Sequence, residues 1–216
     1  MAETKNSQST VLLVCGIISS LLYICTDLIG GLMWGNYDFV SQYISELGAI
    51  GSPSRAFTVS LGIVYGILVV IFALGVLRFA GQKRVLRIVG GLLTGYAIVG
   101  FMGFPFPMNP SEISTTLTNT MHQALAGVTV FLILLSLGFG ATAFGEWFRY
   151  YTVGVILVYL ILGALPFLSV VQFESGQPLP MVGLVQRIMV YGYMLWLAVL
   201  STLLINTQKG QGIVNV

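Results

Sequence analysis

The chain has 216 residues, of which 56% are hydrophobic and only 7% charged, and its mean hydropathy is +0.94. Such a composition excludes an ordinary soluble domain and points to the bilayer as solvent. The formal charge of +2 leaves no basic surface for nucleic acid.

Six apolar stretches, each long enough to cross a bilayer, take up nearly all of the chain. They run from about Val11 to Trp34, Ala56 to Phe79, Leu86 to Phe104, Leu117 to Ala143, Thr152 to Gln172 and Val182 to Asn206. Turn-rich or charged breaks separate them at Gly48 to Ser54, Gly81 to Arg84, Pro105 to Pro110 and Ser175 to Pro180. The expectation is an all-α integral membrane protein, a single domain over 1–216 built as a six-helix bundle.

The first span follows Lys5 and is too long for a signal peptide, with no small-residue cleavage site after it, so it reads as a retained helix. Its Cys15 and Cys25 are separated by about 15 Å of helical rise, beyond disulfide reach, and read as inert buried thiols. Asp27 stands late in the same span.

After the first span the chain reads DFVSQYISEL from Asp38 to Leu47. On a wheel of about 100° per residue, Phe39, Val40, Tyr43, Ile44 and Leu47 share one arc and the polar residues the other. A short amphipathic helix is expected, capped by Asn36 and ended by a left-handed Gly48. It lies at the membrane surface with its polar face in water, or tips that face inward as the lid of a site.

The basic residues divide unequally between the two ends of the spans. Lys5, Arg78, Lys83, Arg84, Arg87, Arg149 and Lys209 make seven on one side, and Arg55 and Arg187 make two on the other. Basic residues beside spans resist translocation, so both termini are expected in the cytoplasm, with the first, third and fifth loops outside the cytoplasmic membrane. Glu146, at the cytoplasmic end, is expected to form a surface pair with Arg149.

Glycine, at 26 residues, recurs at four-residue spacing in Gly31 and Gly35, Gly62 and Gly66, and Gly91 and Gly95. Such pairs let helices approach closely, here within the bundle rather than across a dimer. None follows a strand, so no phosphate-binding loop is read.

Asp27, His122 and Arg187 should share one level in the outer half of the membrane. A charged group there needs a partner or a wet cavity, so Asp27 is expected to pair with Arg187 or His122, with Tyr191 and Tyr193 a turn deeper as hydroxyl donors. Three readings follow: a structural ion pair with a core histidine; a pocket made by Asp27, Ser41, Ser45, Glu46, His122 and Arg187; or catalysis by Ser45 (or Ser41), His122 and Asp27 (or Glu46). One histidine and two embedded cysteines do not make a usual zinc set, and only His122 with Asp27 and Glu46 offers a metal site at all. The inner halves of the spans lack acidic groups, which argues against a proton path.

The segment YDFVSQYISELGAIGSPSR after a span bearing Asp27, the TNTMHQ segment opening the fourth span, and Gly183 to Arg187 opening the sixth resemble six-span prokaryotic membrane proteins classed as domain of unknown function 998. The likeness runs from about Val11 to Asn206, with ISELGA its most distinctive part. It departs at Asn119, where such proteins often carry an acidic residue ahead of the histidine. The resemblance implies the six-span topology and brings no activity with it. A more distant likeness is to membrane hydrolases that gather Ser, Asp and several His, a pattern from which one histidine departs.

The expected function is an outward-facing pocket at headgroup depth for a membrane lipid or other amphiphile, without a cofactor. The alternatives are an accessory subunit whose glycine faces meet a membrane-protein partner or another copy, and a Ser/His/Asp hydrolase.

Overall fold

The computed structural model describes residues 2–109, 116–168 and 181–214. Six long helices form: α1 (Ala2–Leu32), α2 (Arg55–Ala80), α3 (Arg84–Gly103), α4 (Leu117–Gly140), α5 (Glu146–Leu168) and α6 (Val182–Val214). Each contains a stretch long and apolar enough to cross a membrane, and there is no strand among the described residues. α5 begins at Glu146, six residues before the expected Thr152, because Trp147 and Tyr150 extend the helix as exposed aromatics of the kind that settle at a membrane boundary. The expected end of that span at Gln172, and the break from Ser175 to Pro180, lie outside the described residues.

Every helix packs on its sequence neighbours, and α6 closes the ring on α1. The ring is tight at one end. There Leu13, Phe72, Leu86, Leu137, Trp196 and Leu200, all almost wholly buried, form the core. Glycines set this closeness: a side chain at Gly16 would strike the Phe72 ring, one at Gly75 would strike Leu12, and one at Gly140 would strike Trp196. Two hydrogen bonds also join helices at this end, Trp196 Nε1 donating to Thr152 Oγ1 at 3.0 Å and Ser201 Oγ to the Leu13 carbonyl at 2.6 Å.

The expected spacing pairs account for part of this packing. Gly66 meets Phe101 and Gly62 meets Phe104, joining α2 to α3, whereas Gly35 and Gly91 meet nothing among the described residues. Spacing alone does not say which glycine faces a neighbour. Cys15 is buried but Cys25 is exposed, since ten residues at about 100° each carry the second thiol away from the first. Glu146 and Arg149 form no ion pair. Glu146 instead occupies the first turn of α5, where a carboxylate suits the helix dipole.

The opposite end of the ring, where α1 ends and α2 begins, is splayed. It is covered by the first loop, which is not the expected amphipathic helix. Only Ile44–Gly48 is helical, as a 3₁₀ turn, preceded by turns at 39–41 and an extended Tyr43. Asn36 sits in the turn after α1 and caps no helix. Gly48 is the last residue of the 3₁₀ turn and is not left-handed; the turn ends on an extended Ala49, and the left-handed glycine of this loop is Gly51, at φ 85°. The physical reason is competition for backbone groups. Asp38 Oδ1 accepts from the Val40 N–H at 2.9 Å, closing a local turn, and the Phe39, Val40 and Gln42 carbonyls and the Ile44 amide bond to α6.

Candidate functional site

Asp27 and Arg187 are 2% and 6% exposed, and they form a two-pronged ion pair. Arg187 Nε donates to Asp27 Oδ2 at 3.0 Å and Nη2 to Oδ1 at 2.9 Å. The Tyr191 hydroxyl donates to the same Oδ2 at 2.5 Å. Both carboxylate oxygens are therefore engaged by groups fixed on α6.

The rest of the guanidinium holds the first loop. Nη1 donates to the Phe39 carbonyl at 2.7 Å, to Gln42 at 3.0 Å and to Gly183 at 3.1 Å, while Nη2 also meets the Tyr37 hydroxyl. The rings of Phe39 and Tyr37 lie 4.9 and 5.4 Å from its central carbon, near enough for cation–π attraction. Neighbouring backbone completes the seat: the Leu184 amide donates to the Val40 carbonyl at 3.0 Å and the Ile44 amide to Gln186 Oε1 at 2.7 Å. Gly183 makes this possible, because any side chain there would collide with the Gln42 and Phe39 carbonyls.

The far end of the loop is tied to α2. Ser52, Ser54 and Thr58 all donate to the Leu47 carbonyl, at 2.9, 3.0 and 2.9 Å. Arg55 Nη1 donates to the Gly48 carbonyl at 2.6 Å.

Beneath the loop, the splayed helices enclose a cavity of about 930 Å³, within the range of small-molecule sites. Near the loop it is bordered by Asp27, Ser45, Arg55, His122 and Gln186. His122 Nδ1 lies 3.1 Å from the Phe106 carbonyl. A carbonyl only accepts, so Nδ1 carries a hydrogen, the arrangement that leaves Nε2 as the acceptor of a neutral imidazole. Ser45 Oγ donates to Met108 Sδ at 3.7 Å, a weak acceptor. No hydrogen bond joins Ser45 or Ser41 to His122 among the described residues.

The remaining expected site residues stand elsewhere. Ser41 is exposed and donates to Asp38 Oδ2 at 2.5 Å; that bond and the Val40 N–H hold the Asp38 carboxyl below its usual range. Glu46 accepts from Gln42 Nε2 and the Tyr43 amide, both at 2.8 Å. Neither Ser41, Glu46 nor Arg187 borders the cavity. No three His, Cys, Asp or Glu side chains are grouped for a metal among the described residues.

A deeper layer lies beyond the sequence expectation, which includes only Tyr193 there. Tyr23, Tyr65, Tyr96, Tyr159 and Tyr193, from five different helices, border the inner part of the cavity. Tyr65 and Tyr193 lie ten and eleven residues into α2 and α6, or about 15 to 16 Å below the loop end. The Tyr65 and Tyr96 hydroxyls bond each other at 2.8 Å. The buried Tyr159 and Tyr193 hydroxyls have no hydrogen-bond partner among the described residues. Leaving such a hydroxyl unpaired costs about 1 to 3 kcal/mol. The available signal was a tyrosine near the middle of several spans, away from the interfaces where tyrosine is usual.

A family model described as "Protein of unknown function (DUF998)" matches residues 17–203. No curated protein matches the chain, and no solved structure does.

Proposed function

Because the chain belongs to the DUF998 family, whose description assigns no activity, we propose from the geometry that it binds a membrane amphiphile in the cavity beneath its first loop. The observation carrying this reading is the 930 Å³ space itself. Polar groups border it at the loop end, and apolar side chains such as Val99, Ile133 and Val190 border it farther in. A molecule with a polar head and an apolar tail matches both zones. The basic asymmetry of seven to two supports placing the loop end outside the cytoplasmic membrane and both termini in the cytoplasm, where the cavity would lie at headgroup depth. Native mass spectrometry after extraction in a mild nonionic detergent tests the reading. Retention of a lipid-sized mass, lost when Ser45→Trp fills the space, is the expected result. An empty wild-type protein that takes up no added amphiphile refutes it.

A second reading, hydrolysis, is favoured by one observation: Phe106 fixes the His122 tautomer that leaves Nε2 able to take a proton, in the same cavity as Ser45. Asp27 would not take part, since Arg187 and Tyr191 hold it. Covalent labelling of Ser45 by a fluorophosphonate, absent in Ser45→Ala and His122→Ala, is its test. No labelling of the wild type removes it.

A further inference from the structure

We infer that the cavity selects an amphiphile with a negatively charged head, a carboxylate or a phosphate, and that Arg55 reads that charge. The inference rests on the amphiphile reading above and adds the chemistry of the head.

Charge accounting at the loop end leads to it. Asp27 and Arg187 neutralise each other. Asp38 and Glu46 are each held within the loop by neutral donors. Arg55 is half-buried, borders the cavity and has no carboxylate within ion-pair distance among the described residues. Its Nη1 donates to the Gly48 carbonyl, which fixes the guanidinium in place and leaves Nη2 and Nε for other acceptors. Among the described residues, Arg55 is thus a held cation at the cavity mouth without a counter-charge, and its planar fork suits carboxylate and phosphate oxygens. The stability of α2 does not explain it, because a cation in the first turn of a helix opposes the helix dipole. Beyond Arg55 the cavity runs past apolar residues to Tyr65, ten positions along α2 or about 15 Å, which is room for an alkyl tail. His122 Nε2, at the same end, is available to accept a bond from a hydroxyl on the head.

The experiment is a native mass spectrometry titration of the full chain in nonionic detergent with dodecyl phosphate, dodecanoate, uncharged dodecanol and inorganic phosphate. Binding of at least one anionic amphiphile at least tenfold tighter than dodecanol is expected. Arg55→Gln should remove that preference while leaving dodecanol binding intact, and Arg55→Lys, which keeps the charge, should retain most of it. Raising salt should weaken the anionic probes and not dodecanol, a readout that needs no variant. Equal binding of dodecanol and the anions overturns the inference while the amphiphile reading stands, as does an undiminished preference in Arg55→Gln. Inorganic phosphate binding as tightly as dodecyl phosphate keeps the anion site and overturns the amphiphile. No adduct with any probe overturns both.

Discussion

Arg187 spends every N–H of its guanidinium within the protein: on Asp27, on the Tyr37 hydroxyl, and on the carbonyls of Phe39, Gln42 and Gly183. Removing either member of the buried pair strands the other charge, so Asp27→Ala and Arg187→Ala should each destabilise by about 3 to 5 kcal/mol. Tyr191→Phe, which deletes one bond to a charged oxygen, should cost less, about 1.5 to 3 kcal/mol. Thermal unfolding in detergent checks the order; a Tyr191→Phe loss equal to that of Asp27→Ala would contradict it. Tyr159 offers the opposite case. Its hydroxyl has no partner among the described residues, so Tyr159→Phe should leave stability unchanged or raise it, and a loss beyond about 1 kcal/mol would contradict this.

The first loop keeps its shape through α6 and α2 rather than through its own helical propensity. Gly183 is where the loop lies closest, with the Gln42 and Phe39 carbonyls against its Cα. Gly183→Ala should therefore cost about 1 to 3 kcal/mol and speed hydrogen exchange across 38–48. Gly192 sits on the same helix with no described residue within 4 Å of a side chain there, and Gly192→Ala should be neutral or stabilising, because alanine is the better helix former. Equal behaviour of the two variants would mean that the loop is not seated on α6. Ser45 separates the faces of this element in another way: its hydroxyl points to Met108 and its side chain borders the cavity. The bulky Ser45→Trp should cost well over the roughly 0.5 kcal/mol of a surface change.

At the scale of the whole molecule, a ring of six helices is drawn tight at one end by glycine-to-aromatic contacts and wedged open at the other under the loop. The wedge accounts for the position of the cavity, and the basic asymmetry supplies the proposed orientation. Cysteines placed at Lys83 and at Ser175, the latter outside the described residues, should label from opposite sides of intact cells, with Ser175 outside. Labelling of both from one side would overturn the proposed orientation and place the spans differently.

Six spans, the breaks at Gly48 to Ser54 and Gly81 to Arg84, and the need of Asp27 for a partner are legible in the sequence, because the bilayer imposes them locally. Length, apolarity and the cost of an unpaired charge in hydrocarbon act on each segment wherever the others lie. The Asp38–Leu47 segment was misread for the converse reason. Its periodicity is helical, but the Arg187 fork, the Gln186 side chain and the Leu184 amide take up the backbone groups a helix would use. Those competitors lie about 145 residues away, and no local pattern contains them. Which glycines face a neighbour, how five mid-span tyrosines come to border one cavity and why Arg55 has no counter-charge among the described residues were likewise decided only by the rotation and splay of packed helices. Sequence determines what each helix must bury; the tertiary structure decides what it is buried against.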